Sequence, residues 1–192
     1  MAASGIKYNV KGTHVVMARK WVDERLGEGA FMKKVAEVQN DWPKVLLPGS
    51  WYNVFPLEFA VADAAREVRM SMEDACADIA ARNARTDLTT VYRAFLRVAG
   101  PHMIMNATSA LWRNYVAFAD AKKVKNDFGL FIGECYQVPN KLLDWACGCW
   151  RGFVPTAIEL AGGKSCRGRI LERGPDGTSN EFSWLRCEVT YQ

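Results

Sequence analysis

The fold is decided by the stretch from Lys123 to Arg173, which reads KVKNDFGLFIGECYQVPNKLLDWACGCWRGFVPTAIELAGGKSCRGRILER. Its first part is predicted to be an extended strand that ends at Pro139. From Asn140 to about Leu160 the apolar residues fall three, four or seven positions apart, which is the spacing of one helix face. Ala161-Gly-Gly163 ends that helix, and the chain from Cys166 to Arg173 is extended again. The stretch therefore predicts a strand, a long helix and a second strand.

Apolar residues define the inward face of the first strand and of the helix. On the strand they are Val124, Phe128, Leu130, Ile132 and Tyr136, and on the helix Leu142, Leu143, Ala146, Trp150, Phe153, Val154 and Ile158. Pro155 lies inside the helical pattern and predicts a kink or a division near Phe153. A helix with such a face, laid on an antiparallel sheet, forms a core with room for an apolar ligand.

The chain before Lys123 is predicted to consist mainly of helices. Thr13 has the side chain of an N-cap for the first helix, and Ser71 for a longer one. Pro56 is expected at the first position of a helix between them, and Gly100-Pro101 starts a helix that follows. The inward stripe of the longer helix contains Ala75, Cys76, Ile79, Ala80, Asn83, Leu88, Val91, Tyr92 and Phe95.

The chain is predicted to close with a β-hairpin. Pro175-Asp-Gly-Thr178 is a turn sequence that joins the strand Cys166–Arg173 to a last strand, Phe182–Tyr191. In that last strand Leu185, Cys187 and Val189 alternate with polar residues, so one face is buried and the other solvated. The predicted class is α+β in a single domain, residues 1–192. A helical part (about 1–118) precedes a three- to four-stranded antiparallel sheet crossed by the long helix (about 119–192).

Composition limits the classes of function. A chain of 192 residues fits one domain that buries about two-thirds of its unfolded surface. The net charge of +4 is spread among alternating basic and acidic residues, which disfavours nucleic-acid binding. No apolar run approaches the roughly 20 residues of a membrane span. Six cysteines without a signal peptide predict free thiols in a reducing cytoplasm.

Several short motifs carry a resemblance to a known superfamily. They are Val10-Lys-Gly-Thr13 before the first helix, Gly49-Ser-Trp-Tyr52, the strand–Cys135-Tyr-Gln-Val-Pro139–helix unit, and the closing hairpin. The chain resembles heme nitric oxide/oxygen-binding (H-NOX) domains, 4-vinyl reductase domains and the vesicle-tethering TRAPP subunits. The likeness is greatest to a myxobacterial-type family of uncharacterised proteins of about this length. It spans almost the whole chain and implies an H-NOX-like fold with a sensory or ligand-binding function.

The resemblance raises the question of heme, because the heme-binding members use a helical His as the iron ligand. This chain contains only His14 and His102. When the chain is aligned with those members at Val10-Lys-Gly-Thr13, the position of the iron ligand falls at Leu111 or Trp112. His102, in the first turn of its helix, is interpreted as a partly exposed residue.

Those members also hold the heme propionates with a Tyr-x-Ser-x-Arg motif. The nearest match here is Tyr136-Gln-Val-Pro-Asn140, which has Val138 and Asn140 in place of Ser and Arg. Without the Arg, the propionates lack a charge-assisted bidentate partner. We therefore expect no heme, and a heme-binding gas sensor is the alternative.

The cysteines are a second candidate for chemistry. Some 4-vinyl reductase-type sensors that this part of the chain resembles bind zinc through Cys and Glu in a comparable region. The candidate ligands here are Cys135, Cys147, Cys166 and Cys187. Cys147-Gly-Cys149 does not have Cys-x-x-Cys spacing, and residues two apart on a helix point to nearly opposite sides. We expect the cysteines to fill small spaces in the core rather than bind zinc.

A ligand pocket is predicted between the helix and the sheet. Its candidate residues are Met103, Leu111, Trp112, Phe128, Phe131, Tyr136, Trp145 and Trp150. Apolar stripes at helical spacing equally fit a filled core. Gly129 and Gly133 leave room either for a ligand or for close approach of a helix.

Three functions fit the sequence. The first is a non-enzymatic sensory or ligand-binding module that holds a small apolar molecule, without heme, and signals through a partner protein or a homodimer. The second is an enzyme acting on a flat, porphyrin-like substrate, but the chain has no Gly-x-Gly-x-x-Gly, no P-loop and no Ser-His-Asp arrangement. The third is an interaction module with a filled core that uses an exposed face such as Trp51-Tyr-Asn53.

Overall fold

The computed structural model of the chain describes residues 8–90, 100–177 and 179–192. Its N-terminal part contains β1 (Asn9–Lys11), α1 (Gly12–Leu26), α2 (Ala30–Val38), β2 (Trp51–Asn53), α3 (Val54–Glu67), α4 (Met72–Thr90), α5 (Pro101–Asn106) and α6 (Thr108–Tyr115). Its C-terminal part contains β3 (Asp120–Asp127), β4 (Leu130–Pro139), a 3-10 turn (Asn140–Leu142), α7 (Leu143–Leu160), β5 (Arg167–Pro175) and β6 (Phe182–Thr190). The predicted α+β class, with a helical part followed by an antiparallel sheet and a long helix, is confirmed.

The main sheet has the strand order β3-β4-β6-β5, and each neighbouring pair is antiparallel. The segment predicted as one strand is a hairpin of β3 and β4, turned at Phe128-Gly129, where Gly129 has a left-handed φ of 80°. The predicted inward face of that segment is therefore wrong. Phe131 and Cys135 are buried against the core, and Ile132 and Tyr136 lie on the opposite face because side chains alternate along a strand.

The closing hairpin agrees with the sequence pattern. β5 pairs with β6, and Leu185, Cys187 and Val189 are buried while the residues between them are not. The alternation could be recognised because one face of this strand is solvated and the other is covered by α7. Thr178, at the end of the predicted turn, lies outside the described residues.

Helix α7 is the central element of the core. It is buried on nearly all sides, because it packs on the sheet with one side and on α4 with the other. A Cβ added at Gly152 would lie 2.0 Å from the Ala77 carbonyl oxygen, so the backbones of α4 and α7 are in direct contact. The helix continues through Pro155, so the predicted division near Phe153 is wrong.

The helix boundaries follow the predicted caps in part. The hydroxyl of Ser71 accepts a hydrogen bond from the Asp74 N–H at 3.1 Å, as expected of an N-cap. Thr13 is not a cap, since α1 already begins at Gly12. A Cβ at Gly12 would lie 2.0 Å from the Leu47 carbonyl oxygen, so the helix starts where only glycine allows this contact with the 39–50 loop. The predicted inward positions of the longer helix at Val91, Tyr92 and Phe95 lie outside the described residues.

Among the described helices, none combines the length and the apolar character needed to cross a membrane.

Candidate functional site

A cavity of about 50 Å³ lies among α1, α4, α5, α6 and α7. Its apolar wall consists of Ala80, Ile104, Met105, Leu111, Trp112, Val116, Trp145, Trp150, Phe153, Val154 and Ala157. Its polar groups come from His14, Asn83, Thr108, Tyr115 and Cys149. The space is therefore enclosed by helices, whereas the sequence had predicted a pocket between the long helix and the sheet.

Four of the predicted pocket residues meet at this cavity, namely Leu111, Trp112, Trp145 and Trp150. A fifth, Phe131, lies behind the wall: its ring stacks on Trp150 with centroids 6.4 Å apart. The space between α7 and the sheet is filled by this pair, and a Cβ at Gly133 would lie 3.1 Å from the Trp150 ring. Gly133 thus serves close approach of the helix.

Three predicted pocket residues lie elsewhere. Phe128 is at the β3–β4 turn and 93% exposed, and Met103 is 49% exposed on the outer side of α5. Tyr136 lies on the outer face of the sheet, where its hydroxyl donates to Glu134 and its ring stacks on Trp184 at 6.4 Å. Phe128 and Tyr136 lie away from the cavity because the turn at Gly129 reverses the chain and exchanges the two faces of the predicted strand.

An aromatic cluster forms one side of the cavity. The indole rings of Trp112 and Trp150 stack with centroids 5.5 Å apart and an interplanar angle of 26°, and Trp145 is 6.4 Å from Trp112. The Trp112 N–H donates to the Ala119 carbonyl oxygen at 3.2 Å. Stacking and this hydrogen bond fix the ring of Trp112, which is one of the two positions, with Leu111, that the sequence resemblance gave for the iron ligand.

His14 brings a neutral imidazole to the cavity. It is buried on α1, and its Nε2 accepts a hydrogen bond from the Trp145 indole N–H at 3.3 Å. Burial lowers the pKa of His14 to about 4, so the ring is neutral near pH 7 and carries its proton on Nδ1. Sequence reasoning gave His14 no role, although its spacing from Ala18 and Trp21 on α1 placed it on the buried face.

Beside this nitrogen, 4.0 Å away, lies the Cys149 thiol. Burial raises the pKa of Cys149 well above its ordinary value, so the thiol is protonated. A neutral imidazole and a neutral thiol at this distance have no charge to make the sulfur a nucleophile.

Asn83 supplies an unsatisfied hydrogen-bond acceptor. It is 2% exposed on α4, as its predicted inward position required, and within the described residues its Oδ1 has no hydrogen-bond partner. One turn later, burial raises the pKa of Asp87, and the nearby Thr13 and Tyr115 hydroxyls oppose this with a smaller effect. A buried acceptor without a donor is unfavourable, and a ligand that donates a hydrogen bond removes this penalty.

The cysteines do not form a metal centre within the part of the chain that the structure describes, where no three His, Cys, Asp or Glu side chains are grouped to hold an ion. Cys135 and Cys187 are buried on the inner face of the sheet, and burial raises the pKa of both thiols. Burial likewise raises the pKa of Cys147 to about 11. Cys166 is half-buried after α7, and all six cysteines are free thiols.

Comparison with solved structures places this arrangement in a known fold. An oxygen-binding H-NOX domain related to soluble guanylate cyclases, in its oxygen complex, superimposes with a TM-score of 0.66 at 12% identity, over 95% of each chain. The chain has the H-NOX fold. An Fe(II) unliganded H-NOX protein variant from K. algicida gives a TM-score of 0.71 at 10% identity, over 95% of this chain and 96% of that one. A T. tengcongensis H-NOX variant gives 0.64 at 14% identity, over 95% and 97%. No protein-family model and no curated sequence matches the chain.

The cavity, as its residues are arranged in this structure, is smaller than a heme group requires. A cavity of about 50 Å³ is far below the roughly 300–1,000 Å³ of sites for larger organic ligands, and the Trp112–Trp150 stack occupies the adjoining space. His102 is exposed in the first turn of α5 and does not reach the cavity. Asn140, in place of the propionate-binding Arg, instead bonds the Asn180 carbonyl and Ser183.

Proposed function

We propose that the protein is a non-enzymatic sensory or ligand-binding module of the cytoplasm that works without heme and signals through a partner protein. The observation that carries the proposal is the Asn83 Oδ1, which lies without a hydrogen-bond partner among the described residues at the wall of a predominantly apolar cavity. The H-NOX fold supports it, because the similar domains include an oxygen-binding protein.

The size of the cavity defines the class of ligand. A volume of about 50 Å³ has room for about three to five water-sized atoms. The wall is almost wholly apolar, while the Asn83 oxygen can accept one hydrogen bond. The ligand proposed is therefore a small, largely apolar molecule of a few non-hydrogen atoms.

Helix α1 connects the residues of the cavity to an exposed surface of the protein. His14 contacts Trp145 at the cavity, and two residues earlier Gly12 packs against the loop that ends at β2. In β2, Trp51 is 41% exposed, with the Lys11 ammonium 5.1 Å from its ring centre. A ligand that moves α1 would shift this exposed face, and the face is the proposed contact for a partner or a second copy.

The test uses xenon as a probe of small apolar sites, followed by 129Xe NMR on the full chain. Wild-type protein should show saturable binding, and Ala80→Val should abolish it, because Ala80 lines the cavity and the added methyl groups fill it. Ala110→Val is the matched control, since Ala110 is exposed on α6. Native mass spectrometry of freshly purified protein identifies any natural ligand. Equal xenon binding by wild type and Ala80→Val would refute the cavity as the site.

The second candidate is a protein-interaction module with a filled core. The packing of Phe131, Gly133 and Trp150 favours it, because these residues fill the space between α7 and β4 at this position. Absence of saturable xenon binding in the wild type, together with a stable complex with a partner or a homodimer, would support this function over a sensor.

A further inference from the structure

An open groove of about 530 Å³ lies between the end of α6 and the ends of β3, β4 and β6. Three aromatic rings line it, those of Tyr8, Phe118 and Phe182, and Tyr8 packs edge-on against Phe118 at 5.6 Å. Arg113, Asp120 and Gln137 supply its polar groups. The groove is separate from the helix-lined cavity, because buried Val116 stands between them and lines both.

Two backbone segments in the wall are held in an unusual conformation. Ala119 has φ 60° and Gln137 has φ 56°, which is the left-handed region that favours glycine. Each is secured by a hydrogen bond: Trp112 donates to the Ala119 carbonyl at 3.2 Å, and the Gln137 N–H donates to the Asp176 carboxylate at 2.6 Å. Such conformations persist only where the surroundings impose them, and they cluster at binding sites.

The two charged groups of the groove are unpaired. Neither the Arg113 guanidinium nor the Asp120 carboxylate makes an ion pair or a side-chain hydrogen bond within residues 8–90, 100–177 and 179–192. By contrast, Arg173 and Arg186, on the neighbouring strands, each contact two carboxylates. As far as the described residues go, the groove thus presents an unpaired cation and an unpaired anion beside apolar rings.

We propose that this groove binds a small zwitterion of the α-amino-acid type with an apolar side chain. The planar guanidinium of Arg113 suits the ligand carboxylate, and the Asp120 carboxylate suits its ammonium group. The rings of Phe118 and Phe182 cover the apolar side chain. The volume is in the usual range for a small-molecule site.

Three probes that share a phenylethyl group distinguish the contribution of the carboxylate from that of the ammonium group. They are L-phenylalanine, 3-phenylpropionate and phenethylamine, measured by calorimetry and by backbone-amide shifts of residues 117–119 and 137. L-Phenylalanine should bind with a Kd at least about tenfold lower than the other two, because it alone engages both charges. The amide shifts should be confined to the groove.

Two variants that each remove one charge assign the charges to their residues. Arg113→Gln should weaken L-phenylalanine about tenfold and leave phenethylamine unchanged, while Asp120→Asn should weaken L-phenylalanine and leave 3-phenylpropionate unchanged. Arg85→Gln is the matched control, because Arg85 is exposed on α4 outside the groove. Equal affinity of the three probes, shifts outside the groove, or no saturable binding below about 10 mM would each overturn the proposal.

Discussion

Replacement of Trp150 by alanine tests whether the core around α7 is solid or adapted to a ligand. Trp150 is fully buried, stacks on Trp112 at 5.5 Å and on Phe131 at 6.4 Å, and lies over Gly133. Large-to-small changes of this kind in a filled core cost about 3–5 kcal/mol. Stacking on two rings, worth about 0.5–1.5 kcal/mol for each pair, puts this site in the upper part of that range, so we expect Trp150→Ala to lower the free energy of unfolding by about 4–5 kcal/mol.

The assay is urea unfolding of protein as purified and of protein stripped of bound apolar molecules. Trp51→Ala is the matched control, because Trp51 is 41% exposed, and it should lose about 1 kcal/mol. If a ligand stabilises the purified form, that extra stability should disappear in Trp150→Ala, by mass action. An equal and large loss in both preparations indicates a filled core. A loss below about 2 kcal/mol in both would refute the packing argument.

Three further predictions concern heme, metal and pH. Hemin added in modest excess should give no Soret band, and a stoichiometric band that disappears in His102→Ala would contradict this. Exhaustive chelation should leave the Tm unchanged; one equivalent of zinc by elemental analysis, lost in Cys135→Ser and Cys166→Ser, would show the opposite. Burial lowers the pKa of His14 from 6.5 to about 4, so as the pH falls the unfolded chain binds a proton at this residue before the folded protein does. His14 therefore lowers the free energy of unfolding as the pH falls from about 6.5 to 4, and it has no effect above 6.5. By urea unfolding, the free energy of unfolding should be about 2 kcal/mol lower at pH 5 than at pH 7 because of this residue. This difference should be absent in His14→Gln and retained in the control His102→Gln.

The sequence predicts the elements best where one side of an element faces water. β6 was predicted correctly because Leu185, Cys187 and Val189 alternate with polar residues, and this records its two faces directly. The β3–β4 hairpin was missed because, of the two residues in its turn, only Gly129 is a turn signal, and the other, Phe128, is an apolar residue that is exposed. Apolar residues on both sides of that turn continued an apparent alternation, so two strands were taken as one.

The candidate site was predicted in part, for a similar reason. Leu111, Trp112, Trp145 and Trp150 were found because helical spacing groups them on buried faces. His14 was missed because its role depends on a hydrogen bond that it accepts from the indole N–H of Trp145, which lies 131 residues later in the chain. The local sequence pattern of α1 cannot indicate a partner so distant in the chain.

The position of the cavity follows from two glycines to which sequence analysis gave no role. Gly148 and Gly152 lie one turn apart on α7, and a Cβ at either would meet the backbone of α4, at Glu73 or Ala77, within 2.4 Å. The two helices run in the same direction there, so the next turns of α4, with Ala80 and Asn83, lie at the later part of α7, where Val154 and Ala157 line the cavity with them. On the opposite side of α7, Gly133 lets the Trp150 ring reach the sheet. The cavity lies beyond these close contacts, and the buried Asn83 oxygen lines it.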